Sequence, residues 1–182
     1  MITVQNRRRK VENIQKDFPN AIIVDVTSKG DMPFVKFSPF YPIGGIPIPF
    51  SENKFSASVE GIWQGLKVFE DEGVDEKKFA IKTMKGLKRT VRKFGKPKGH
   101  RKGIEGLELL DYISARKLIY IPTYKWILDN VLQTELAQLK GLISKQDLVL
   151  LDYETNGDID NPNKPLSHAC LIKQYLENNG VF

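Results

Sequence analysis

The sequence SVEGIWQGLK, residues 58–67, predicts a helix that is covered on more than one side. Its apolar side chains recur every three or four residues, so they gather on one side of a helix. Gly61 and Gly65 lie four residues apart on another side. Because glycine weakens a helix, such a pair usually marks a place where a second chain segment approaches closely. The polar side chains of this helix are therefore expected to lie between packed surfaces.

Three polar residues, Glu60, Gln64 and Lys67, form one stripe on this helix. A buried polar stripe needs either internal partners or a function. One interpretation is an internal bridge between Glu60 and Lys67 that Gln64 steadies. The other is a pocket in which Glu60 acts as a general acid or base, while Gln64 and Lys67 orient or neutralise a phosphorylated ligand. Spacing alone leaves both interpretations open.

The pattern along the whole chain predicts one α+β domain, residues 1–182, that is largely helical around a small sheet. Strands are predicted at 21–26, 34–37 and 148–153. The helix that contains SVEGIWQGLK begins near Ser56 or Ser58, either of which can cap it, and runs to about Asp71. Further helices are predicted over four stretches, 76–94, 105–120, Pro122 to Lys140, and 166–178. The proline-rich and apolar stretch 39–50 predicts an ordered loop.

The composition excludes several classes of protein. No apolar run approaches membrane-spanning length and the N-terminus lacks the apolar core of a signal peptide, so we expect a cytoplasmic protein. The single cysteine, Cys170, cannot form an internal disulfide, and with only two histidines it cannot complete a zinc site. A Cys170–His168 nucleophilic pair is disfavoured because residues two apart on a helix face away from each other. Without a glycine-rich nucleotide motif or a ligand cluster, neither a cofactor nor an essential metal is expected.

Positive charge is concentrated in residues 77–102, which contain twelve Lys or Arg and no Asp or Glu. The chain as a whole has a net charge of +6, so the rest of it is net acidic. This segment is predicted to be a basic helix and loop, whose outer face is either merely solvated or contacts the phosphates of a nucleic acid. The candidate nucleic-acid-binding residues are Lys78, Lys82, Lys85, Arg89, Arg92, Lys93, Lys98 and Arg101.

Four segments resemble motifs of the NADAR family of N-glycosidases. They are, in the family's order, FSPFYP (37–42), SVEGIWQGLKVF (58–69), LLDYETNGD (150–158) and NKPLSHACLIKQYL (163–176). The chain departs from the family pattern at two places. It lacks the tryptophan-glycine pair of the acidic loop, and Ser167 stands where the family usually has glycine. These departures indicate a divergent branch and leave the substrate open.

The resemblance implies hydrolysis of an N-glycosidic bond in a ribosylated or ADP-ribosylated nucleotide or base, free or within nucleic acid. It makes Glu60 the first catalytic candidate and matches Lys67 to the lysine of the family motif. Asp152 or Asp158 could supply a second carboxylate, since cleavage at an anomeric carbon develops oxocarbenium character that carboxylates stabilise.

Candidate substrate-binding residues surround these catalytic candidates in the motifs. They are Ser38, Phe40, Trp63, Gln64, Asn156 and Asp158. Trp63 and Phe40 could stack on a base, although a core role suits Trp63 equally well. The acidic loop could equally be a surface turn, and calcium is rejected because Asn163 stands where a calcium loop needs glutamate.

The leading functional prediction is therefore a hydrolase, an N-glycosidase with a nucleotide or ADP-ribose-type substrate. The alternative is a non-catalytic protein that binds DNA or RNA through the basic segment 77–102.

Overall fold

The structure is a computed structural model and describes residues 1–181. The chain folds into two compact units. The terminal unit comprises Met1–Ser38 and the chain from Leu128 onwards, and the central unit comprises Pro39–Ile127. Helices and small sheets occur together, so the predicted mixed α+β character is confirmed. That the whole chain forms one domain stays a prediction.

A three-stranded parallel sheet organises the terminal unit. Strand β8 (Leu148–Asp152) lies between β1 (Ile2–Asn6) and β2 (Ile22–Asp25), and Leu150 is paired with Val4 on one side and Val24 on the other. All five residues of β8 are buried, as expected for a central parallel strand. The predictions of β2 and β8 are confirmed, whereas β1 was missed.

Helices cover this sheet. Helix α1 (Val11–Asp17) places Ile14 against Val149 and Leu151, which lie on one face of β8 because side chains alternate along a strand. Helix α7 (His168–Glu177) contacts β1 and β8. The predicted final helix is thus confirmed, and the Ser167 hydroxyl caps it by accepting a hydrogen bond from the Cys170 N–H.

The single helix predicted from Pro122 to Lys140 is wrong, because the chain forms two. Helix α5 (Ile121–Asn130) ends before α6 (Gln133–Ile143) begins. The side chain of Gln133 donates to the Leu128 carbonyl at 2.6 Å and so satisfies an acceptor at the end of α5.

The central unit contains short elements joined by ordered loops. Strands β3 (Ile46–Pro47) and β4 (Phe55–Ser56) pair with each other, and helix α2 (Val59–Gly65) follows. A second, antiparallel sheet has the order β5 (Lys67–Val68), β6 (Gly99–Arg101), β7 (Leu109–Leu110). The central unit also contains a 3-10 helix (Glu76–Lys78), α3 (Val91–Phe94), α4 (Tyr112–Ala115) and a π-helical turn over Arg116–Tyr120.

Four further predicted elements differ from the structure. The stretch Phe34–Phe37 is a 3-10 helix instead of a strand. Helix α2 begins after Ser58 as predicted but ends at Gly65, because Lys67 and Val68 pair with β6. The predicted helix at 105–120 begins only at Tyr112, where Asp111 caps it.

The predicted helix at 76–94 is also wrong. Only Glu76–Lys78 (3-10) and α3 are helical within it. Gly86 has a φ of 75°, in the left-handed region, which interrupts any right-handed helix there. The side chain of Arg89 is drawn inwards to backbone carbonyls, and this requires a non-helical path.

The close approach predicted at Gly61 and Gly65 is confirmed. A Cβ atom on Gly61 would lie 2.8 Å from the Lys78 carbonyl oxygen, and one on Gly65 would overlap the ring of Phe79. Both contacts come from the chain that follows β5, which crosses α2 at these two glycines. Phe79 is buried by this contact.

We predict that Gly65→Ala lowers the free energy of unfolding by about 1–3 kcal/mol, because the new methyl group overlaps the buried ring of Phe79. Gly141→Ala is the matched control. Gly141 lies in helix α6 with nothing within 4 Å of the added atom, so alanine there should stabilise by up to about 1 kcal/mol. Urea unfolding of both variants measures the difference, and equal effects would contradict the packing seen at α2.

Candidate functional site

Glu60 lies in the first turn of α2 and is held there by two neighbouring segments. The Ser58 hydroxyl accepts the Gly61 N–H at 3.0 Å, and the Glu60 N–H donates to the Pro39 carbonyl at 2.8 Å. The motif that contains Pro39 is thus bonded directly to the motif that contains Glu60. Only 8% of Glu60 is exposed, so this carboxyl group is largely withdrawn from water.

A chain of hydrogen bonds connects Glu60 to Lys67 through Gln64. The Gln64 Nε2 group donates to Glu60 Oε1 at 2.8 Å, and Lys67 Nζ donates to Gln64 Oε1 at 3.3 Å. The polar stripe predicted from the helix pattern therefore exists as a connected set, although Lys67 itself lies on β5. The Arg89 N–H also donates to Gln64 Oε1, at 2.9 Å. With two donors on its oxygen, the amide can only present its NH₂ group to Glu60.

Lys67 is electrostatically perturbed in this environment. Burial lowers the pKa of Lys67 below its usual value, and the positive charges of Arg89 and Lys88 lower it further. The Glu60 carboxylate acts in the opposite direction but does not outweigh burial. Lys67 therefore gives up its proton more readily than an exposed lysine would.

Arg89 is a buried cation that anchors the basic segment. It is 3% exposed, and its Nη1 donates to the carbonyls of Lys67 at 2.6 Å and Gly73 at 2.9 Å. Its guanidinium lies over the rings of Phe69 and Phe94, 4.8 and 5.1 Å from their centroids. Arg89 therefore holds backbone in place and is not a surface phosphate contact. The sequence pattern had placed it on the outer face of a helix as a candidate phosphate contact, and no local signal indicated burial.

Aromatic rings surround Trp63, which is half-buried. The ring centroids of His100 and Trp63 are 3.8 Å apart. Tyr112 and Tyr120 are arranged edge-to-face with Trp63, at centroid distances of 6.0 and 5.6 Å. At least one face of the Trp63 ring is therefore covered by packing within the central unit. Phe40 belongs to the same unit, and the centroid of its ring lies 5.4 Å from Lys88 Nζ.

His100 was not identified as a site residue from the sequence. It is 2% exposed, and within residues 1–181 neither ring nitrogen has a hydrogen bond of good geometry, although the Trp63 backbone lies near enough to oppose part of the lowering of its pKa. Burial, and next the positive charge of Lys67, lower the pKa of His100 to about 3. The ring is therefore neutral at physiological pH, and it packs on Trp63 as an aromatic group.

Asp152 lies at the end of β8 in the terminal unit. Its carboxylate accepts from the Ser167 hydroxyl at 2.7 Å and from two backbone N–H groups, those of Tyr153 and Ala169. His168 Nδ1 lies 2.9 Å from the same carboxylate, and His168 Nε2 donates to the Val26 carbonyl at 2.9 Å. Since a carbonyl only accepts, both ring nitrogens carry protons and the pair is ionic.

The ionic pair shifts both titrations. Burial alone would raise the pKa of Asp152, but the His168 charge and the hydrogen bonds outweigh it and hold this pKa below its usual value. Burial alone would lower the pKa of His168, but the carboxylate of Asp152 holds it above its usual value. His168 is buried within the terminal unit.

The other candidate residues of the terminal unit shape its loops. Asn156 Nδ2 donates to the carbonyls of Asp158 and Lys164, and the Asp158 carboxylate accepts the Asp160 N–H. The acidic stretch is thus a turn with an exposed Asp158. Ser38 is buried at the end of the 3-10 helix Phe34–Phe37.

The candidates therefore divide between the units. Glu60, Gln64 and Lys67 form one connected set in the central unit, which also contains Trp63 and Phe40. The terminal unit contains the remaining candidates, which are Ser38, Asp152, Asn156 and Asp158. Among residues 1–181 no three side chains of the metal-ligating types converge to hold a metal ion. In the same range, no helix combines the length and apolar character needed to cross a bilayer.

Fold and site thus define an α+β protein with a largely buried carboxylate–amide–lysine chain in its central unit. A family model matches residues 6–172, and the chain belongs to that family, DUF6939, which is described as a family of unknown function. No curated protein matches the chain.

We predict that His100→Phe removes a pH-dependent loss of stability. Between pH 7 and 5, His100 becomes protonated in the unfolded chain but stays neutral in the folded one, because its folded pKa is about 3. This difference alone should lower the unfolding free energy of the wild type by about 2 kcal/mol over that pH range. Urea unfolding at both pH values measures this difference.

The phenylalanine variant should keep the ring contact with Trp63. Its unfolding free energy should fall less than that of the wild type between pH 7 and 5, by the amount that His100 contributes. The Asp152–His168 pair cannot imitate the effect. The pKa of His168 is raised by folding, so its contribution to stability is lost as pH rises. The pKa of Asp152 is lowered by folding, so its contribution to stability is lost only as pH falls below the usual range of aspartate. Identical pH slopes in the two proteins would contradict the neutral, buried state of His100.

Proposed function

We propose that this protein is an N-glycosidase that acts on a ribosylated or ADP-ribosylated nucleotide or base, and that its fold is NADAR-like. One observation carries the proposal. A largely buried carboxyl group, Glu60, accepts a hydrogen bond from an amide, Gln64, whose oxygen also binds Lys67. These three residues are the ones that match the family helix motif in the sequence.

The arrangement suits cleavage of a bond between an anomeric carbon and nitrogen. As that bond breaks, its electron pair leaves with the nitrogen and positive charge develops on the sugar ring. The Glu60 carboxylate stabilises this charge and takes a proton from the water whose oxygen bonds to the anomeric carbon. Gln64 orients the carboxylate and does not itself react.

Lys67 supplies the acid in this proposal. Its proton goes to the departing nitrogen, and the lowered pKa of Lys67 makes that transfer easier at neutral pH. The proton that Glu60 takes from water can then return to Lys67, so that the enzyme is regenerated. A general acid with an ordinary lysine pKa would be far weaker near pH 7.

The aromatic residues of the central unit suit a base or nicotinamide-like ring. Phe40 follows Pro39, whose carbonyl is bonded to the Glu60 N–H, so the backbone of Phe40 is held beside the first turn of α2. Trp63 packs on His100 and is half-buried, which leaves part of its ring for other contacts. Both residues stay candidates for stacking on the substrate, as predicted.

The two candidates for a second carboxylate, Asp152 and Asp158, are both engaged in contacts of the terminal unit. Asp152 uses its acceptor capacity on four donors within the terminal unit, which favours a structural role. Asp158 is exposed and also part of a turn. Glu60 is therefore the carboxylate on which the proposal depends.

We predict that Glu60→Gln lowers the rate of base or ADP-ribose release by about a hundredfold to ten-thousandfold, because glutamine can neither stabilise positive charge nor take up a proton. Release is followed by chromatography after incubation with ribosylated nucleotides and with ADP-ribosylated nucleosides and oligonucleotides.

Glu135→Gln is the matched control. It also replaces a buried glutamate, one that pairs with Lys36 in the terminal unit and lies outside the proposed chemistry. Its activity should equal that of the wild type once circular dichroism shows it to be folded. Undiminished release by Glu60→Gln, or no release by the wild type from any of these substrates, would refute the proposed function.

A further inference from the structure

The structure sorts the cations of the basic segment 77–102 into two groups. Five of them are engaged in hydrogen bonds or ion pairs within the central unit. Lys98 and Lys102 form ion pairs with Glu70 and Glu108, while the other three bind backbone carbonyls, and these are Lys78, Arg89 and Arg101. The remaining seven are exposed and form no ion pair within residues 1–181. They are Lys77, Lys82, Lys85, Lys88, Arg92, Lys93 and Lys96.

The backbone that presents these seven cations has a defined course. Leu87 and Phe79 are buried, and Lys78 Nζ donates to the Gly86 carbonyl at 2.6 Å, which closes the intervening loop. Arg89 fixes the next part of the segment through carbonyls that precede it by 16 and 22 residues. The cations therefore extend from an anchored scaffold and not from a loose tail.

From this arrangement we infer that the seven exposed cations, termed the cationic strip, bind the phosphate backbone of a nucleic acid. Along part of the strip, at Lys82, Lys85 and Lys88, charges recur every three residues, so neighbouring ones lie within about 10 Å along the chain. A strand of DNA carries a phosphate about every 3.4 Å along the helix axis, so each such interval spans several phosphates. Counterions released from those phosphates supply the driving force.

The composition of the strip favours a nucleic acid over a protein partner. Stable protein interfaces have an apolar centre in which lysine is depleted. Between Lys77 and Lys98 the only large apolar side chain that is strongly exposed is Val91, at 60%. A surface made of lysine and arginine around a single valine has no such centre, whereas it matches the charge-dominated contacts that proteins make to phosphates.

The cationic strip also adjoins the polar chain of Glu60, Gln64 and Lys67. The Arg89 N–H donates to Gln64, and the neighbouring Lys88 is close enough for its charge to act on Lys67. A bound polynucleotide would therefore lie beside the candidate catalytic residues. Binding itself does not require the proposed reaction.

The test is binding of a fluorescein-labelled 30-nucleotide single strand and a 30-base-pair duplex by anisotropy, between 50 and 300 mM NaCl. The fourfold variant Lys82→Gln, Lys85→Gln, Arg92→Gln and Lys93→Gln removes charge from the strip. Its matched control removes four exposed lysines of the terminal unit, as Lys10→Gln, Lys29→Gln, Lys140→Gln and Lys145→Gln. Thermal unfolding checks that both variants are folded.

The wild type and the control should bind with a steep salt dependence. The strip variant should bind at least about tenfold more weakly at 100 mM NaCl, and its slope of log affinity against log salt should be shallower by about 3, since each lost phosphate contact removes about 0.7–0.9. The measurement follows binding and not turnover, so its result is independent of the proposed reaction.

Three results would overturn the inference. They are absence of binding to either oligonucleotide at 50 mM NaCl, equal salt slopes for the strip variant and its control, and equal or tighter binding to polyglutamate or to vesicles of anionic lipid at the same salt concentration. The last result would assign the cationic strip to a protein or membrane partner instead.

Discussion

The amide of Gln64 is the group on which the central unit depends. Its NH₂ binds the Glu60 carboxyl, and its oxygen accepts from Lys67 and from the Arg89 backbone. One side chain thereby joins helix α2, the strand that follows it and a loop 25 residues further along the chain. An amide suits this position because it offers donors on one end and lone pairs on the other, whereas glutamate or lysine would offer only one kind of group. The orientation of Glu60 is a consequence of the contacts on the opposite end of Gln64.

Arg89 shows how tertiary contacts override local preference. Residues 76–94 have the apolar spacing of an amphipathic helix, yet a helix there would expose the guanidinium to water. In the folded chain that cation instead donates to the backbone carbonyls of Lys67 in β5 and of Gly73 in the loop that follows, and it packs on Phe69 and Phe94. A hydrogen bond to a charged donor is worth more than one between neutral groups. The gain from several such bonds outweighs the modest preference of this segment for helix.

The sequence predicted those features that depend on neighbours in the chain. Buried strands such as LVLLD are recognisable from composition, and the cap at Ser58 and the two close-packed glycines of α2 are local signals. It missed β1, whose sequence ITVQN is short and half-polar, since its pairing with β8 joins residues almost 150 positions apart. For the same reason it missed the burial of His100 and Arg89. The link from Glu60 to Lys67 was predicted from a helix, but the structure makes it across the end of α2 and into β5.

The two buried carboxylates, Glu60 and Asp152, illustrate different solutions to the cost of burying charge. Asp152 receives two backbone N–H groups, a hydroxyl and an imidazolium, which is about as many donors as a carboxylate can accept. Protonating Asp152 or moving it to a ligand would break this set and leave His168 charged and buried, which is strongly unfavourable. Asp152 therefore connects the end of β8 with the start of α7, and its hydrogen bonds disfavour uptake of a proton. Glu60, by contrast, accepts a hydrogen bond from a neutral amide, and the lysine at the other end of that amide has its charged form disfavoured by burial, whereas the charge of His168 is favoured by its direct contact with Asp152.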